Sequence, residues 1–277
     1  ACGEGGPGFL PGSAWNEMRR EALDKLLQKR SEPAPLATKE ITLPEYAEHE
    51  VGMIPQLAAR FETAAQLPGA EYLAKLRYLI LPIREADAVP QPLRCKTLLE
   101  LPRAAFGTVE LDTMRRLAAL EGSGFAGVVA NNLAQFGYAS PLPVFGGLGL
   151  NVTNPMSAAE YVWLGARGLL VQPETALTAM RAVAPRQKDG TPVPTAALCY
   201  GHLPLMLTRA CPLRNVRTSC AGCTHKGKLR DRKGRDFPVR CSAPGSAGMR
   251  TVFNPVPLYM GDRLTEMPAV SYTHLRA

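Results

Sequence analysis

Apolar residues recur along this chain with two different periods. Over residues 13–30, Trp15, Met18, Leu23, Leu26 and Leu27 beside "RREALDK" predict a helix that Ser13 or Asn16 can cap. The next stretch, "SEPAPLATKEITLPEYAEHE", is rich in Pro and polar residues and reads as a linker. The spacing of Leu57, Ala58 and Phe61 predicts a short amphipathic helix over 53–66. From about residue 70 the pattern changes, and short apolar runs alternate with helical ones. "LRYLILPI" (76–83), "KTLLELP" (96–102), "FAGVVA" (125–130), "PVFGGLGLNV" (143–152), "GLLVQ" (168–172) and "TAALCYG" (195–201) read as strands. Between them, "VELDTMRRLAALEGSG" (109–124) has helical spacing with a Gly stop. "SAAE" (157–160) reads as a capping box opening a helix to about Arg167. Pro173 stands at a helix N1 position ahead of "ETALTAMRAV".

Strands that are apolar almost throughout, alternating with helices, predict a parallel α/β sheet covered on both faces. The strand-to-strand units are compact, roughly 25 residues, which suits a (β/α) barrel or part of one better than a doubly wound sheet. "GGLGL" (146–150) lies in or at the end of a strand and opens no helix, so a dinucleotide-binding fingerprint is not supported. Asn131 and Asn132 end a predicted strand, on the face where barrel enzymes keep their sites; the plainer reading is that they turn the chain.

Composition narrows the picture. The 277 residues are 46% hydrophobic and 20% charged, as in a globular protein. No apolar run is long enough to span a membrane. The first residues show no signal-peptide pattern, and they read as the interior of a longer protein. The net charge of +8 is local: between Arg209 and Arg240 ten Lys/Arg face only Asp231 and Asp236, while the remaining bases and acids cancel. Such a patch points to a polyanionic partner, the bland alternative being a solvated cationic loop.

The same segment holds four of the seven cysteines. Cys211, Cys220, Cys223 and Cys241 are spaced C-x8-C-x2-C-x17-C. One CxxC pair with two further thiolates suits a tetrahedral zinc or an iron–sulfur cluster, and the spacing does not choose between them. The neighbouring cations favour the thiolate form. Without an export signal the expected compartment is the reducing cytoplasm, which argues against a disulfide framework. Cys199 reads as a small buried hydrophobe, and Cys2 and Cys95 have no partner motif. His202 and His225 flank the cluster as hydrogen-bonding residues or candidate ligands. No Ser/His/Asp arrangement, HExxH or P-loop is visible.

Four strings carry a resemblance: "YGHLPLMLTRACPLRN", "CAGC", "LRDRKGRDFPVRC" and "VFNPVPLYMGDRL". They closely resemble the peptidase U32 family, the collagenase-like proteases, and most of all its long bacterial members. The resemblance covers roughly residues 70–265 and is densest from Tyr200 to Leu264. "FLPGSAWNEMRREAL" resembles the end of the accessory domain of those members. The implied layout is a helical tail of that domain over 1–35, a linker and short helix over 36–69, and a partial TIM-like (β/α) barrel over 70–270. A cysteine-rich basic insert occupies 209–241, after the strand ending at Tyr200. "SYTHLRA" (271–277) departs from the family pattern and is set aside as a non-native tail, His274 with it.

What the resemblance implies about activity is divided. Members are named as peptidases acting on collagen. Others are oxygen-independent hydroxylation factors for tRNA wobble uridine, for a cytidine of large-subunit rRNA, or for the ubiquinone ring. The quinone members hold a [4Fe–4S] cluster on four cysteines, and the RNA members are linked to prephenate as the hydroxyl source. Cys211, Cys220, Cys223 and Cys241 match the family's cysteine cluster. Where the family pattern often has a Glu, five residues before the Gly of the "YG" step, this chain has Ala196. The resulting expectation is a cytoplasmic iron–sulfur enzyme that hydroxylates rRNA or tRNA with a prephenate-derived donor, with Arg230, Arg232, Lys233 and Arg235 on phosphates. The alternatives are a metal-dependent peptidase of collagen-like chains and a zinc-stabilised RNA-binding module without catalysis. No catalytic residue is singled out.

Overall fold

The computed structural model describes residues 11–33, 56–138, 140–214, 219–242, 248–266 and 272–276. The chain divides into two compact units, Ala1–Glu45 and Tyr46–Ala277. In the first, α1 (Gly12–Ser31) is the predicted helix, but it starts from Pro11 and no side chain caps it, so neither Ser13 nor Asn16 takes that role. Its Trp15, Met18, Leu23, Leu26 and Leu27 are all exposed. The linker sequence lies mostly outside the described residues.

The second unit is built on β1 (Gln56–Arg60), β2 (Leu76–Pro82), β3 (Thr97–Glu100), β4 (Gly127–Ala130), β5 (Val144–Gly146), β6 (Ala166–Val171) and β7 (Thr195–Gly201). There follow β8 (Pro204–Thr208), β9 (Lys226–Arg230), β10 (Asp236–Cys241), β11 (Arg250–Phe253), β12 (Leu258–Tyr259) and β13 (Tyr272–Arg276). Strands β1 to β7 pair in parallel, each with the next. Strand β13 lies parallel between β7 and β1, so the pairings run full circle. This is the expected TIM-like barrel. The outer helical layer is thin among the described residues. Among the described α-helices of this unit, α4 (Thr108–Ala118) and α5 (Pro155–Trp163) exceed one turn, whereas α2 (Ala70–Leu73), α3 (Gln91–Arg94) and α6 (Leu177–Met180) are single turns. The tail set aside on sequence grounds supplies β13, a placement that says nothing of its origin.

The strands are continuously apolar because both faces are buried. Ile80, Leu98, Val129 and Phe145 point into the barrel, whereas Leu79, Leu81, Leu99 and Val128 pack outward with Leu117 and Leu73 of the helical layer. Cys199 sits in the second outward cluster, the small buried hydrophobe expected of it.

Three local expectations are corrected. Residues 56–60 are strand β1, not helix. Over so short an apolar run the helical and extended periods look alike, and parallel pairing with β2 and β13 decides. Helix α5 begins at Pro155, and its cap is Asn154, which accepts from the Ser157 amide at 2.9 Å, so "SAAE" is inside the helix. Pro173 opens no helix; α6 begins only at Leu177, after Ala176.

After β7 comes the insert, a four-stranded antiparallel sheet ordered β8-β11-β10-β9. It runs past the predicted boundary at Cys241, through β11, and the chain then returns to the barrel as β12, paired with Tyr200 and Gly201.

Replacing Leu99, fully buried in the outward cluster, by Ala is expected to lower stability by about 2–5 kcal/mol in urea unfolding. Replacing exposed Leu23 by Ala is expected to change it by no more than about 0.5 kcal/mol.

Candidate functional site

Successive side chains of a strand point to opposite faces, so the inward set of β1 is Ala58 and Arg60, and that of β3 is Leu98 and Glu100. The lower members close the barrel with hydrocarbon. The upper members, at the C-terminal strand ends, are charged. Arg60 is only 8% exposed. A guanidinium in such a place needs carboxylates, because desolvation of the lone ion costs several kcal/mol. Arg60 Nε donates to Glu100 Oε2 at 2.8 Å, and Nη1 donates to Glu62 Oε2 at 2.7 Å. Burial alone would make Arg60 easier to deprotonate; the two carboxylates reverse this and hold its pKa above the ordinary value. For Glu62 burial pushes upward, but the Arg60 charge and hydrogen bond, aided by Arg84, bring its pKa down to about 2. Arg84 Nη2 reaches the other Glu62 oxygen at 2.7 Å.

Asn131 continues the network. Its Nδ2 donates to Leu101 O at 3.2 Å and to Glu100 Oε1 at 3.4 Å, and its Oδ1 accepts from the Gly149 amide at 3.1 Å. This explains the glycines of "GGLGL". A Cβ on Gly149 would lie 2.1 Å from the Asn131 carbonyl oxygen, and one on Gly147 2.5 Å from Asn131 Oδ1. The loop lies so close that only glycine fits. Asn132, by contrast, does what the plain reading expects. It is exposed and caps the 3-10 turn Leu133–Gly137 through a 2.9 Å bond from the Ala134 amide.

Over this mouth opens a cleft of about 500 Å³. Its barrel side carries Arg60, Glu62, Arg84, Glu100, Arg103, Asp112, Arg116 and Asn131. Its other side is the insert sheet, through Leu207, Arg240, Cys241, Met249, Thr251 and Phe253. Leu207, Thr251 and Arg240 are cross-strand neighbours and so share one face of that sheet. Arg209 stacks over the Phe106 ring at 5.6 Å, a link between the start of the insert and the β3–α4 loop.

The predicted phosphate contacts are not equivalent. Arg230 is engaged by Asp236 at 2.7 Å, and Lys228 shares that carboxylate at 2.6 Å. Arg232, Lys233 and Arg235 are exposed on the β9–β10 turn, which Asp231 braces by accepting from the Lys233 and Arg235 amides at 2.8 Å each.

Three of the four insert cysteines are linked through the turns around His225. Cys241 ends β10, and its amide donates to His225 O at 2.9 Å. The His225 amide donates to Cys223 Sγ at 3.4 Å. Cys220 and Cys223 share a turn, and Cys211 follows β8. Among the described residues, however, no three His, Cys, Asp or Glu side chains are arranged to hold a metal ion. The donor chemistry suits a cluster; the arrangement does not. Cys241 is the one of the four that lines the cleft. His202 is held through Nδ1 by Asn254 O at 2.7 Å, and neither it nor His225 lines the cleft.

Asn131 was legible as a strand-end residue. Arg60 and Glu100 were missed, although the signal is present in "LAAR" and "TLLE": a charge closing an otherwise buried strand.

No protein-family model matches the chain, and no curated protein matches it. Among solved structures it is similar to the U32 peptidase Mk0906, at 13% identity over 85% of this chain and 96% of that one, with a TM-score of 0.46. It is also similar to the spore cortex-lytic enzyme SleL of Bacillus cereus, at 11% identity over 87% of this chain and 74% of that one, with a TM-score of 0.34. SleL of Bacillus megaterium gives 11% identity over the same shares, with a TM-score of 0.27. All three scores are below 0.5, and none decides the family or activity of this chain.

Two outcomes follow from the ion network. Arg60→Ala strands two carboxylates and is expected to cost about 3–5 kcal/mol in urea unfolding. Glu62, held at about 2 against an ordinary value of 4.5, contributes stability that is fully present above pH 4.5 and lost as pH falls toward 2. Unfolding midpoints measured down this acid range are expected to fall less steeply for Glu62→Gln than for the unsubstituted chain; parallel curves would contradict the assignment.

Proposed function

We propose that this chain is the barrel part of a peptidase U32-type enzyme that hydroxylates a base of ribosomal or transfer RNA. The position of the cleft carries the reading. It opens at the C-terminal mouth of the barrel, the end where barrel enzymes place their chemistry. Its second wall belongs to a sheet whose β9 strand and β9–β10 turn are studded with cations. A nucleic-acid strand bound to that basic surface brings its bases to Arg60, Glu100 and Asn131.

The rival peptidase requires an activated water or nucleophile, and neither His202 nor His225 lines the cleft. Glu100 is tied to Arg60 rather than presented to a water. An iron–sulfur cluster on Cys211, Cys220, Cys223 and Cys241 is proposed for the parent protein on the chemistry of the four thiols. No step of the reaction rests on it.

Nucleosides from rRNA and tRNA of cells lacking the parent protein are expected to lack one hydroxylated species by mass spectrometry. The unsubstituted gene restores it and Glu100→Gln does not. An unchanged nucleoside profile, together with cleavage of a collagen-like peptide by the purified parent that Glu100→Gln abolishes, gives the function to the peptidase instead. Metal analysis after oxygen-free purification settles the cofactor. Iron and sulfide lost in Cys220→Ala with Cys223→Ala support the cluster; zinc without iron sinks it.

A further inference from the structure

The register of the insert sheet places Lys226 directly opposite Arg240. Like charges directly opposite on an antiparallel pair are destabilising. Nothing on the two strands relieves the repulsion, since their one acid, Asp236, is engaged by Lys228 and Arg230. Arg240 also continues the cross-strand row through Thr251 to Leu207, the row that faces the cleft. Across the cleft stands Arg103, on the loop between β3 and α4. The other cleft arginines of the barrel side each meet a carboxylate: Arg60 and Arg84 meet Glu62, and Arg116 meets Asp112. Among the described residues, Lys226, Arg240 and Arg103 meet none.

An unrelieved cationic pair beside a cleft, faced by a third unpaired cation, is a cost to folding that an anion removes. We infer that Lys226, Arg240 and Arg103 form a phosphate clamp at the lip of the cleft. The clamp grips backbone phosphates so that the adjoining base enters the barrel mouth, while Arg232, Lys233 and Arg235 at the turn receive the strand further out. Lys226, Lys228 and Arg230 lie on one face of β9 at alternate positions, about 6.6 Å apart, so the cations form a continuous track from turn to cleft. That the phosphate belongs to RNA rests on the function proposed above; the clamp itself does not.

The test uses two probes, a nucleoside monophosphate and a short single-stranded RNA. It compares the parent protein with Lys226→Ala/Arg240→Ala, with Arg103→Ala, and with Arg232→Ala/Lys233→Ala/Arg235→Ala as a turn control. Removing the repelling pair is expected to leave unfolding midpoints unchanged or raised, so weaker binding cannot be blamed on misfolding. RNA affinity at low salt is expected to drop about tenfold or more in the double variant, and the slope of log affinity against log salt by about 0.7 for each cation removed. Mononucleotide binding is expected to vanish in the double variant and in Arg103→Ala, and to persist in the turn control. Unchanged affinity for both probes in the double variant overturns the clamp even if RNA still binds. Mononucleotide binding that depends on Arg240, with no RNA bound by the parent, upholds the clamp and removes the RNA reading. If the parent binds neither probe, both fall.

Discussion

A buried guanidinium organises this molecule. Arg60 ends the first barrel strand pointing inward, where water is nearly excluded. Left alone it would cost more than a small domain can spare. Glu62 and Glu100 answer it from the loop after β1 and from the end of β3. Glu100 is steadied by Asn131 after β4, and Asn131 by the backbone of the β5 loop. One charge therefore fixes the relative positions of four strand ends. The glycines that let the β5 loop approach belong to the same constraint, because any side chain at 149 would push Asn131 off its partners.

This arrangement decides the electrostatics above it. Each carboxylate of the barrel mouth is turned toward an arginine, so the acids are neutralised at the floor of the cleft. The cations left without partners stand at the lip and on the insert. A small barrel mouth can thus be rigid and ion-paired within while its approach is positive. The insert contributes no deep core of its own; Val239, Val252 and Phe253 are its buried apolar residues among those described. Its register matters more than its bulk, since register determines which basic side chains look at the cleft.

Much of the fold was legible because buried parallel strands leave a strong mark. "LRYLILPI", "KTLLELP" and "TAALCYG" are apolar on both faces, and each became a strand within a residue or two of its predicted limits. The misreadings fall where the local signal was short. "QLAAR" supports either period, and only its neighbours make it β1. "SAAE" has the form of a capping box, but Asn154 with Pro155 made a better start one turn earlier. The stripe of α1 was read correctly as helical, and its apolar residues are exposed, because periodicity reports conformation and not what lies opposite.

The site was less legible, for a physical reason. The sequence shows ten cations in a short segment, a fact about composition. Which of them can hold an anion depends on which are already neutralised, and that depends on pairing across strands. Asp236 stands opposite Arg230 and takes it together with Lys228, so a residue that looked like a phosphate contact is largely engaged. Lys226 and Arg240 were counted in the basic patch but not singled out in sequence, one near the CxxC turn and the other beside Cys241. Once the hairpin forms they are forced together with no acid between them. Shifting the register by one residue would move Arg240 to the opposite face of the sheet, leaving the composition unchanged and the cleft without its inner cation. The capacity to bind is therefore a property of the register, which the turn braced by Asp231 helps to set.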